Sequence, residues 1–257
     1  MNQLAWIDGK LCNFAEAGLD AAGWPEGSGL FETVRTVEGK PWALSRHMRR
    51  ALNSARRLSQ PFPSEDLIRS AVSELIGANP FSVGRLRIIF AKDGHLILTH
   101  QEYFEISSSA ILGIKHSPIA GNQALEKRYP YTENLELLNE AQQNGLDDYL
   151  LINRAGLITE TAIANVVFQL NGDWVTPPLS DGVLAGVTRA LLVEKAGVLV
   201  RQIKETDLRS LKSGFLVSSL KIAQPISQIG QQTLTISEES EQMRSVFAAT
   251  ALATSVG

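Results

Sequence analysis

The segment 127–168 constrains the fold of this 257-residue chain more than any other stretch. After an opening lysine, apolar residues recur at helical spacing, with Thr132 as a candidate N-cap and Gly145 as a stop signal. A β-prone run at 149–152 follows, and strand character resumes at 157–170 after a short run of turn residues. The segment therefore predicts a lysine ahead of a helix, followed by two strands joined by a turn.

Two charged residues of this segment form a chemically suggestive pair. Lys127 stands just before the helix, and Glu160 lies on the second predicted strand. An amine can bind pyridoxal phosphate covalently, and a carboxylate can keep the pyridine nitrogen protonated so that the ring accepts electrons. Taken alone, a lysine is usually a solvated surface charge and a strand glutamate usually faces water. The pair by itself leaves both interpretations open.

Composition excludes several classes of protein. A net charge of −3 with scattered basic residues gives no sign of a nucleic-acid partner, and the four histidines lack metal-ligand spacing. Cys12 is the only cysteine, so no intrachain disulfide is possible and a reducing compartment fits. No apolar run approaches the ~20 residues that span a bilayer, and the N-terminal residues lack a signal pattern. We expect a cytoplasmic protein without a metal site or a membrane segment.

The N-terminal half predicts hairpins and two helices. Asp8-Gly9 and Glu38-Gly39 are turn dipeptides between β-prone runs. Ser45 is the predicted cap of a helix that carries four arginines between positions 47 and 58, and Ser64 is the predicted cap of the next helix. Arginines on so short a helix usually form a solvated face.

A third hairpin, 85–103, alternates strictly. Leu86 shares one face with Ile88 and Phe90, whereas Arg85 and Arg87 lie on the other. The arginine face is open to two interpretations, a solvated surface or a substrate-binding role. One more strand at 111–116 precedes a stretch rich in turn residues, which predicts an interdomain linker at 117–124.

The last third of the chain contains a second candidate for anion binding. Gly186, Val187 and Thr188 stand at a predicted helix start, where free amides and a hydroxyl favour an anion. A glycine and threonine in this position are more often only a cap. The final helix is predicted over 243–256.

Together these motifs resemble the class IV (fold type IV) pyridoxal-phosphate-dependent aminotransferase family, which includes branched-chain and D-amino-acid aminotransferases and aminodeoxychorismate lyase. The resemblance covers nearly the whole chain, and its motifs occur in the family order. The residues that carry it are Gly-Leu-Phe-Glu-Thr-Val-Arg at 29–35, His47-x-x-Arg50, Lys127 with Asn134, Thr159-Glu160 with Asn165 and Phe168, Gly186-x-Thr188 and the Leu-Val-Ser-Ser-Leu segment at 216–220.

The resemblance implies a mixed α/β fold with a small N-terminal α/β domain (1–116) and a larger, barrel-like C-terminal domain (125–257) that binds pyridoxal phosphate. It implies that Lys127 holds the cofactor as a Schiff base and moves protons at the substrate carbon that bears the amine. The other implied cofactor-binding residues are Arg50, Val187, Thr188 and Ser219 at the phosphate, Glu160 at the pyridine nitrogen and Tyr131 near the 3-oxygen.

The sequence constrains the reaction less than it constrains the fold and the cofactor. The hairpin turn 91–94 is short where family transaminases commonly carry a longer loop, and Phe31 stands where D-amino-acid transaminases carry a tyrosine. The chain length and the segment 216–220 favour 4-amino-4-deoxychorismate lyase, which releases pyruvate and leaves 4-aminobenzoate for folate biosynthesis. A branched-chain or other class IV aminotransferase is the alternative, and a non-catalytic cofactor-binding homologue is the third possibility.

The resemblance also implies partners. Relatives are homodimers in which a loop of the neighbouring small domain closes each active site, so a homodimer acting on a small-molecule amino substrate is expected. Trp24, an apolar residue in a glycine-rich loop, adds modest support for such an interface.

Overall fold

The computed structural model describes residues 3–116 and 126–252, which form two compact units. In chain order the strands are β1 (Leu4–Ile7), β2 (Lys10–Asn13), β3 (Gly29–Val37), β4 (Lys40–Pro41), β5 (Val83–Ala91), β6 (Leu96–Glu102), β7 (Ala110–His116), β8 (Arg128–Tyr129), β9 (Asp148–Ile152), β10 (Ile158–Thr161), β11 (Asn165–Leu170), β12 (Asp173–Thr176), β13 (Leu199–Val200), β14 (Leu211–Val217), β15 (Gln224–Ile229) and β16 (Gln232–Thr233). The α-helices are α1 (Leu44–Arg57), α2 (Glu65–Ala78), α3 (Thr132–Gln143), α4 (Val187–Lys195) and α5 (Glu238–Leu252). Both units combine helices with sheets, which confirms the predicted mixed α/β class.

The first unit comprises residues 3–104 and 126–130, and the second comprises 105–116 and 131–252. β7 belongs to the second unit because it pairs with β9 and β15, although the sequence placed it in the N-terminal domain. Residues 126–130 belong to the first unit because β8 pairs with β3. The predicted linker, 117–124, lies outside the described residues.

The sheet of the first unit has the order β2-β1-β6-β5-β3-β4, with β8 also paired to β3. Leu30 and Val34 of β3 and Leu86 of β5 pack with the apolar faces of α1 and α2 in one buried cluster. Since side chains alternate along a strand, Phe31 and Arg35 of β3 point to the opposite face. The predicted alternation of the third hairpin is confirmed. The face of the sheet away from α1 and α2 carries its arginines.

Two predicted helix caps differ from the structure. α1 begins at Leu44, and its N-cap is Ala43 in a left-handed conformation (φ 48°), so Ser45 lies inside the helix. α3 has Tyr131 as its N-cap, one residue before the predicted Thr132. Ser64 is the N-cap of α2, as predicted, and its hydroxyl accepts a hydrogen bond from Leu67 N at 3.3 Å.

The second unit contains a nine-stranded mixed sheet in the order β10-β9-β7-β15-β14-β11-β12-β13, with β16 beside β15. The predicted single strand 157–170 is divided into β10 and β11, because Thr161 folds the chain back. Its hydroxyl donates to Ala164 O and accepts from Ala164 N, both at 3.1 Å. The turn places Glu160 and Asn165 on separate strands.

Two more features concern the helices. α5 begins at Glu238, five residues before the predicted start of the final helix. Within residues 3–116 and 126–252, none of the helices has both the length and the apolar character that a membrane span requires.

Candidate active site

Lys127 lies in the first unit, directly before β8. Its carbonyl oxygen accepts a hydrogen bond from Phe31 N at 2.9 Å, and its Nζ lies 4.4 Å from the centre of the Phe31 ring. β8 can lie against the start of β3 because residue 29 is glycine. A Cβ at Gly29 would meet Phe90 O at 2.2 Å and the Tyr129 ring at 2.8 Å. The local fold therefore fixes the lysine beside β3.

Arg50 lies on α1 and pairs with a buried carboxylate. Its Nε donates to Glu32 Oε1 at 2.8 Å, and its NH2 group donates to Glu32 Oε2. His47 Nδ1, one helical turn earlier, lies 2.7 Å from Glu32 Oε2. Because an ionised carboxylate can only accept, the imidazole donates from Nδ1. Arg50 thus has one side of its guanidinium fixed by Glu32.

The charges in this group are strongly coupled. Glu32 is 1% exposed, and burial by itself raises the pKa of its carboxyl. The charge of Arg50 and the hydrogen bond from His47 outweigh burial and lower the pKa of Glu32 to about 2. Burial lowers the pKa of His47 more than its bond to Glu32 raises it, so the imidazole is neutral at pH 7. The group carries one cation and one anion.

Lys127 and Arg50 are therefore positioned by adjacent residues of β3, Phe31 and Glu32. These two side chains point to opposite faces of the sheet, and each contacts its partner separately. Sequence reasoning identified Lys127 and Arg50 but assigned no role to Glu32 or His47. Alternation could have found Glu32, because it shares the core-facing register of Leu30 and Val34.

Glu160 lies in the second unit on β10, and neutral donors hold its carboxylate. Asn165 Nδ2 donates to Glu160 Oε2 at 2.7 Å, and Leu184 N donates to both carboxylate oxygens at 3.1 Å. Asn165 Nδ2 also donates to Leu184 O at 3.1 Å. The turn between β10 and β11 is what brings Asn165 back to Glu160.

The start of α4 is joined to this group. Gly186 is the N-cap, and no side chain caps the helix. Val187 and Thr188 are 7% and 5% exposed, so the first-turn amides lie in a buried place without intrahelical acceptors. A Cβ at Gly186 would lie 1.8 Å from Asn165 Oδ1, which requires glycine there. The predicted residues Glu160, Val187 and Thr188 thus belong to one connected structure.

Tyr131 and Ser219 complete the predicted set. The Tyr131 hydroxyl donates to Ala162 O at 3.2 Å, and Asn134 Nδ2 donates to the same carbonyl at 2.7 Å. These bonds attach the start of α3 to the turn that follows Glu160. Ser219 lies half-buried in the turn after β14, next to Ser218, whose hydroxyl accepts from Lys221 N at 3.1 Å.

Arg189 is a structural residue of this site that the sequence did not single out. Its Nε donates to Thr176 Oγ1 at 3.2 Å and its NH2 donates to Pro177 O at 2.7 Å, which fixes the end of β12 against α4. Burial lowers the pKa of this guanidinium, and the nearby carboxylate of Glu160 opposes the shift. Across residues 3–116 and 126–252, no three His, Cys, Asp or Glu side chains are grouped closely enough to hold a metal ion.

Comparison with known proteins identifies the family. The family model for amino-transferase class IV matches residues 29–229. The chain belongs to this family. A Schizosaccharomyces pombe protein provisionally assigned as aminodeoxychorismate lyase is 32% identical over 180 residues, covering 67% of this chain and 76% of that protein.

A curated relative and a solved structure, both from Mycobacterium tuberculosis, extend the comparison. A bifunctional aminodeoxychorismate lyase / D-amino acid transaminase is 26% identical over 231 residues, covering 77% of this chain and 80% of the relative. A hypothetical aminotransferase, solved in its PLP-bound form, superposes with a TM-score of 0.84 at 20% identity, covering 97% of this chain and 99% of that one. The predicted family and fold are confirmed, and the roles of the individual site residues stay predictions.

Proposed function

We propose that this class IV enzyme is an aminodeoxychorismate lyase, which converts 4-amino-4-deoxychorismate to pyruvate and 4-aminobenzoate. The observation that carries the proposal is the 32% identity to the Schizosaccharomyces pombe relative of that assigned activity, over 67% of this chain. The motifs keep Lys127, Glu160 and Arg50, which favours an active enzyme over a non-catalytic homologue.

The residues present fit pyridoxal phosphate as the cofactor. The uncapped, buried start of α4 offers Val187 and Thr188 amides to a phosphate, and Arg50 offers a guanidinium whose orientation Glu32 fixes. Lys127 would bond to the cofactor, Glu160 would bind its pyridine nitrogen, and Tyr131 and Ser219 would contact its 3-oxygen and its phosphate. When bound, the cofactor supplies an electron-accepting ring.

Lys127 would also move the protons of the reaction. Its amine takes the proton from the substrate carbon that bears the amino group. Loss of that proton and of the enolpyruvyl oxygen leaves an aromatic ring, and the released enol takes up a proton to give pyruvate. Lys127 Nζ lies 4.4 Å from the centre of the Phe31 ring, so this ring holds the amine beside β3.

The decisive experiment is to incubate purified holoenzyme with aminodeoxychorismate and to measure 4-aminobenzoate and pyruvate, which should appear in equal amounts. Lys127→Ala should abolish both products, because no other group supplies the amine. The matched control is Lys92→Ala, since Lys92 is exposed at the turn between β5 and β6. Borohydride reduction should fix the cofactor on Lys127, and mass spectrometry that finds it on another lysine contradicts the assignment.

A second candidate is an amino-acid transaminase of this family, D-amino-acid or branched-chain. The bifunctional Mycobacterium tuberculosis relative favours keeping it. Amino transfer between amino acids and 2-oxo acids, without 4-aminobenzoate formation, would support this candidate over the lyase. A protein that binds the cofactor yet forms neither product would be the non-catalytic homologue.

Assembly and location are part of the same proposal. The family resemblance supports a cytoplasmic homodimer acting in folate biosynthesis. An obligate dimer interface buries upwards of roughly 2,000 Å². Sedimentation at micromolar concentration should therefore give twice the chain mass of 28.0 kDa. A fully active monomer would exclude the dimer and any site shared between subunits.

A further inference from the structure

The residues on either side of Lys127 form an ion cluster with the end of α1. Arg57 Nε, from the last turn of α1, donates to Glu126 Oε1 at 2.9 Å. Arg128 NH2 donates to Glu126 Oε2 at 2.7 Å. Each carboxylate oxygen therefore has its own guanidinium donor. We call Arg57, Glu126 and Arg128 the Glu126 cluster.

The carboxylate of this cluster is enclosed, whereas its two arginines reach water. The side chain of Glu126 is 6% exposed, against 49% for Arg57 and 48% for Arg128. The NH2 group of Arg57 also donates to the buried Ser54 Oγ at 3.1 Å, which fixes the guanidinium against α1. Burial raises the pKa of the Glu126 carboxyl, but the hydrogen bonds from both arginines outweigh burial and lower it. Glu126 is therefore ionised at pH 7.

The cluster supplements a short strand. β8 consists of two residues, Arg128 and Tyr129, so its pairing with β3 offers few backbone bonds. One further bond, from Phe31 N to Lys127 O at 2.9 Å, joins the lysine itself to β3. The Glu126 cluster joins the same segment to α1, a second element of the first unit. The backbone of Lys127 is thus held from β3 and, through its two neighbours, from α1.

The position of this backbone matters for the lysine amine. A lysine side chain is a flexible four-carbon stem, so the backbone is its one fixed end. A catalytic group must be held within about 0.5 Å of its productive position, and a shift of about 1 Å can lower a rate roughly 100-fold. Two half-exposed arginines on one enclosed carboxylate provide such a constraint without occupying the site.

We propose that Glu126 is a positioning residue, which with Arg57 and Arg128 fixes the backbone from which Lys127 reaches the cofactor. The inference rests on the proposed role of Lys127 and adds a residue that acts through the backbone of that lysine. None of the three residues belongs to the motifs by which the family was recognised, so motif matching did not single them out.

Amide hydrogen exchange of the holoenzyme tests the inference, because the Phe31 amide donates to Lys127 O. In Glu126→Gln this amide should exchange roughly 3- to 10-fold faster, an effect between that of an exposed ion pair and that of a buried one. The amide of Val34, which is paired with Leu86 of β5, should keep its wild-type rate. In turnover, kcat should fall by a similar factor while KM stays unchanged, because the amine moves protons.

Two further comparisons separate charge from shape. The Debye length falls to about 3 Å in 1 M salt, so the wild-type Phe31 amide should exchange faster there while Glu126→Gln changes little. Glu126→Asp keeps the charge and should restore part of the wild-type rate. The matched control is Glu65→Gln, since Glu65 pairs with Arg69 at 2.8 Å on α2 of the same unit. It should leave Phe31 exchange and kcat unchanged.

An unchanged Phe31 exchange rate in Glu126→Gln overturns the inference. Equal acceleration at Phe31 and Val34 also overturns it, because that result reports a general loss of stability. If Phe31 responds as expected but borohydride fixes the cofactor on another lysine, the inference falls together with the assignment of Lys127. If the cofactor is fixed on Lys127 and Phe31 responds, yet aminodeoxychorismate is not converted, the lyase proposal fails while the positioning role of Glu126 stands.

Discussion

The two units hold their candidate site residues through different kinds of contact. In the first unit, the Arg50 cation is held by Glu32, a carboxylate that is 1% exposed and also bonded to His47. In the second unit, the Glu160 carboxylate is held by the amide of Asn165 and the backbone N–H of Leu184. Arg50 thus bonds to a charged partner, and Glu160 accepts hydrogen bonds from two neutral donors.

The difference decides what each unit is sensitive to. Removing one member of a buried ion pair leaves the other charge uncompensated, which lowers the stability of the fold strongly. Removing a neutral donor leaves no new charge behind, so the cost is that of a hydrogen bond. The stability of the first unit should therefore depend strongly on charge and pH. The stability of the second unit should depend more on side-chain volume, above all where Gly186 lets Asn165 approach α4.

The largest effect is expected for Glu32→Gln. The substitution keeps the shape but leaves Arg50 without its buried countercharge, so the free energy of unfolding should fall by about 3–5 kcal/mol. Urea denaturation at pH 7 measures it. Glu136→Gln on the exposed face of α3 is the control and should stay within about 0.5 kcal/mol of the wild type. Equal losses in both variants would mean that the pair does not stabilise the first unit.

In the protein that keeps Glu32, acid should remove the stability that the Glu32–Arg50 pair contributes. The pKa of Glu32 is lowered from 4.5 to about 2, so its stabilisation is present above pH 4.5 and is lost as the pH falls toward 2. A shift of this size corresponds to about 3 kcal/mol. The stability gap between chains with and without Glu32→Gln should therefore narrow across that interval.

His47 complicates the measurement, because its folded pKa is also lowered and its own contribution is lost as the pH falls below 6.5. Both chains should therefore carry His47→Gln, which removes the second titration. If the difference in unfolding free energy between the two chains stays constant from pH 4.5 to pH 2.5, the pKa of Glu32 is not lowered.

A smaller effect is expected for Gly186→Ala in the second unit. Gly186 has φ −63°, which alanine adopts readily, so the cost is steric and comes from the 1.8 Å approach to Asn165 Oδ1. Moving Asn165 away from Glu160 should cost about 1–3 kcal/mol and weaken cofactor retention. Calorimetry and cofactor titration measure the two losses.

Gly77→Ala is the matched control for that substitution. Gly77 lies within α2, and a Cβ there meets no atom within 4 Å. Alanine should stabilise the helix by roughly 0.5–1 kcal/mol, the opposite sign. If both glycine variants gained stability, the packing of Asn165 against α4 would be looser than the structure indicates.

Local signals predicted much of the fold. The dipeptide Asp8-Gly9 lies between β1 and β2, Ser64 caps α2, and Arg85 and Arg87 lie opposite Leu86, because turns, caps and alternation depend on neighbouring residues. Other predictions missed features that depend on more distant or less typical structure. No local pattern indicated that Thr161 would fold back on Ala164, and no local rule favours the left-handed conformation of Ala43 at the start of α1.

Residue order was enough to recognise the family, because its motifs can be matched without knowing any contact, and the matched motifs made Lys127 and Glu160 candidates. Which polar groups are buried, and what they bond to, became known only from the three-dimensional packing. Arg50 meets Glu32 across 18 residues and Asn165 meets Leu184 across 19. Such pairings depend on how strands and helices pack, and the same packing buries Arg87 against the Trp24 ring. A sequence records the residue types, whereas burial and pairing set their charge states and partners.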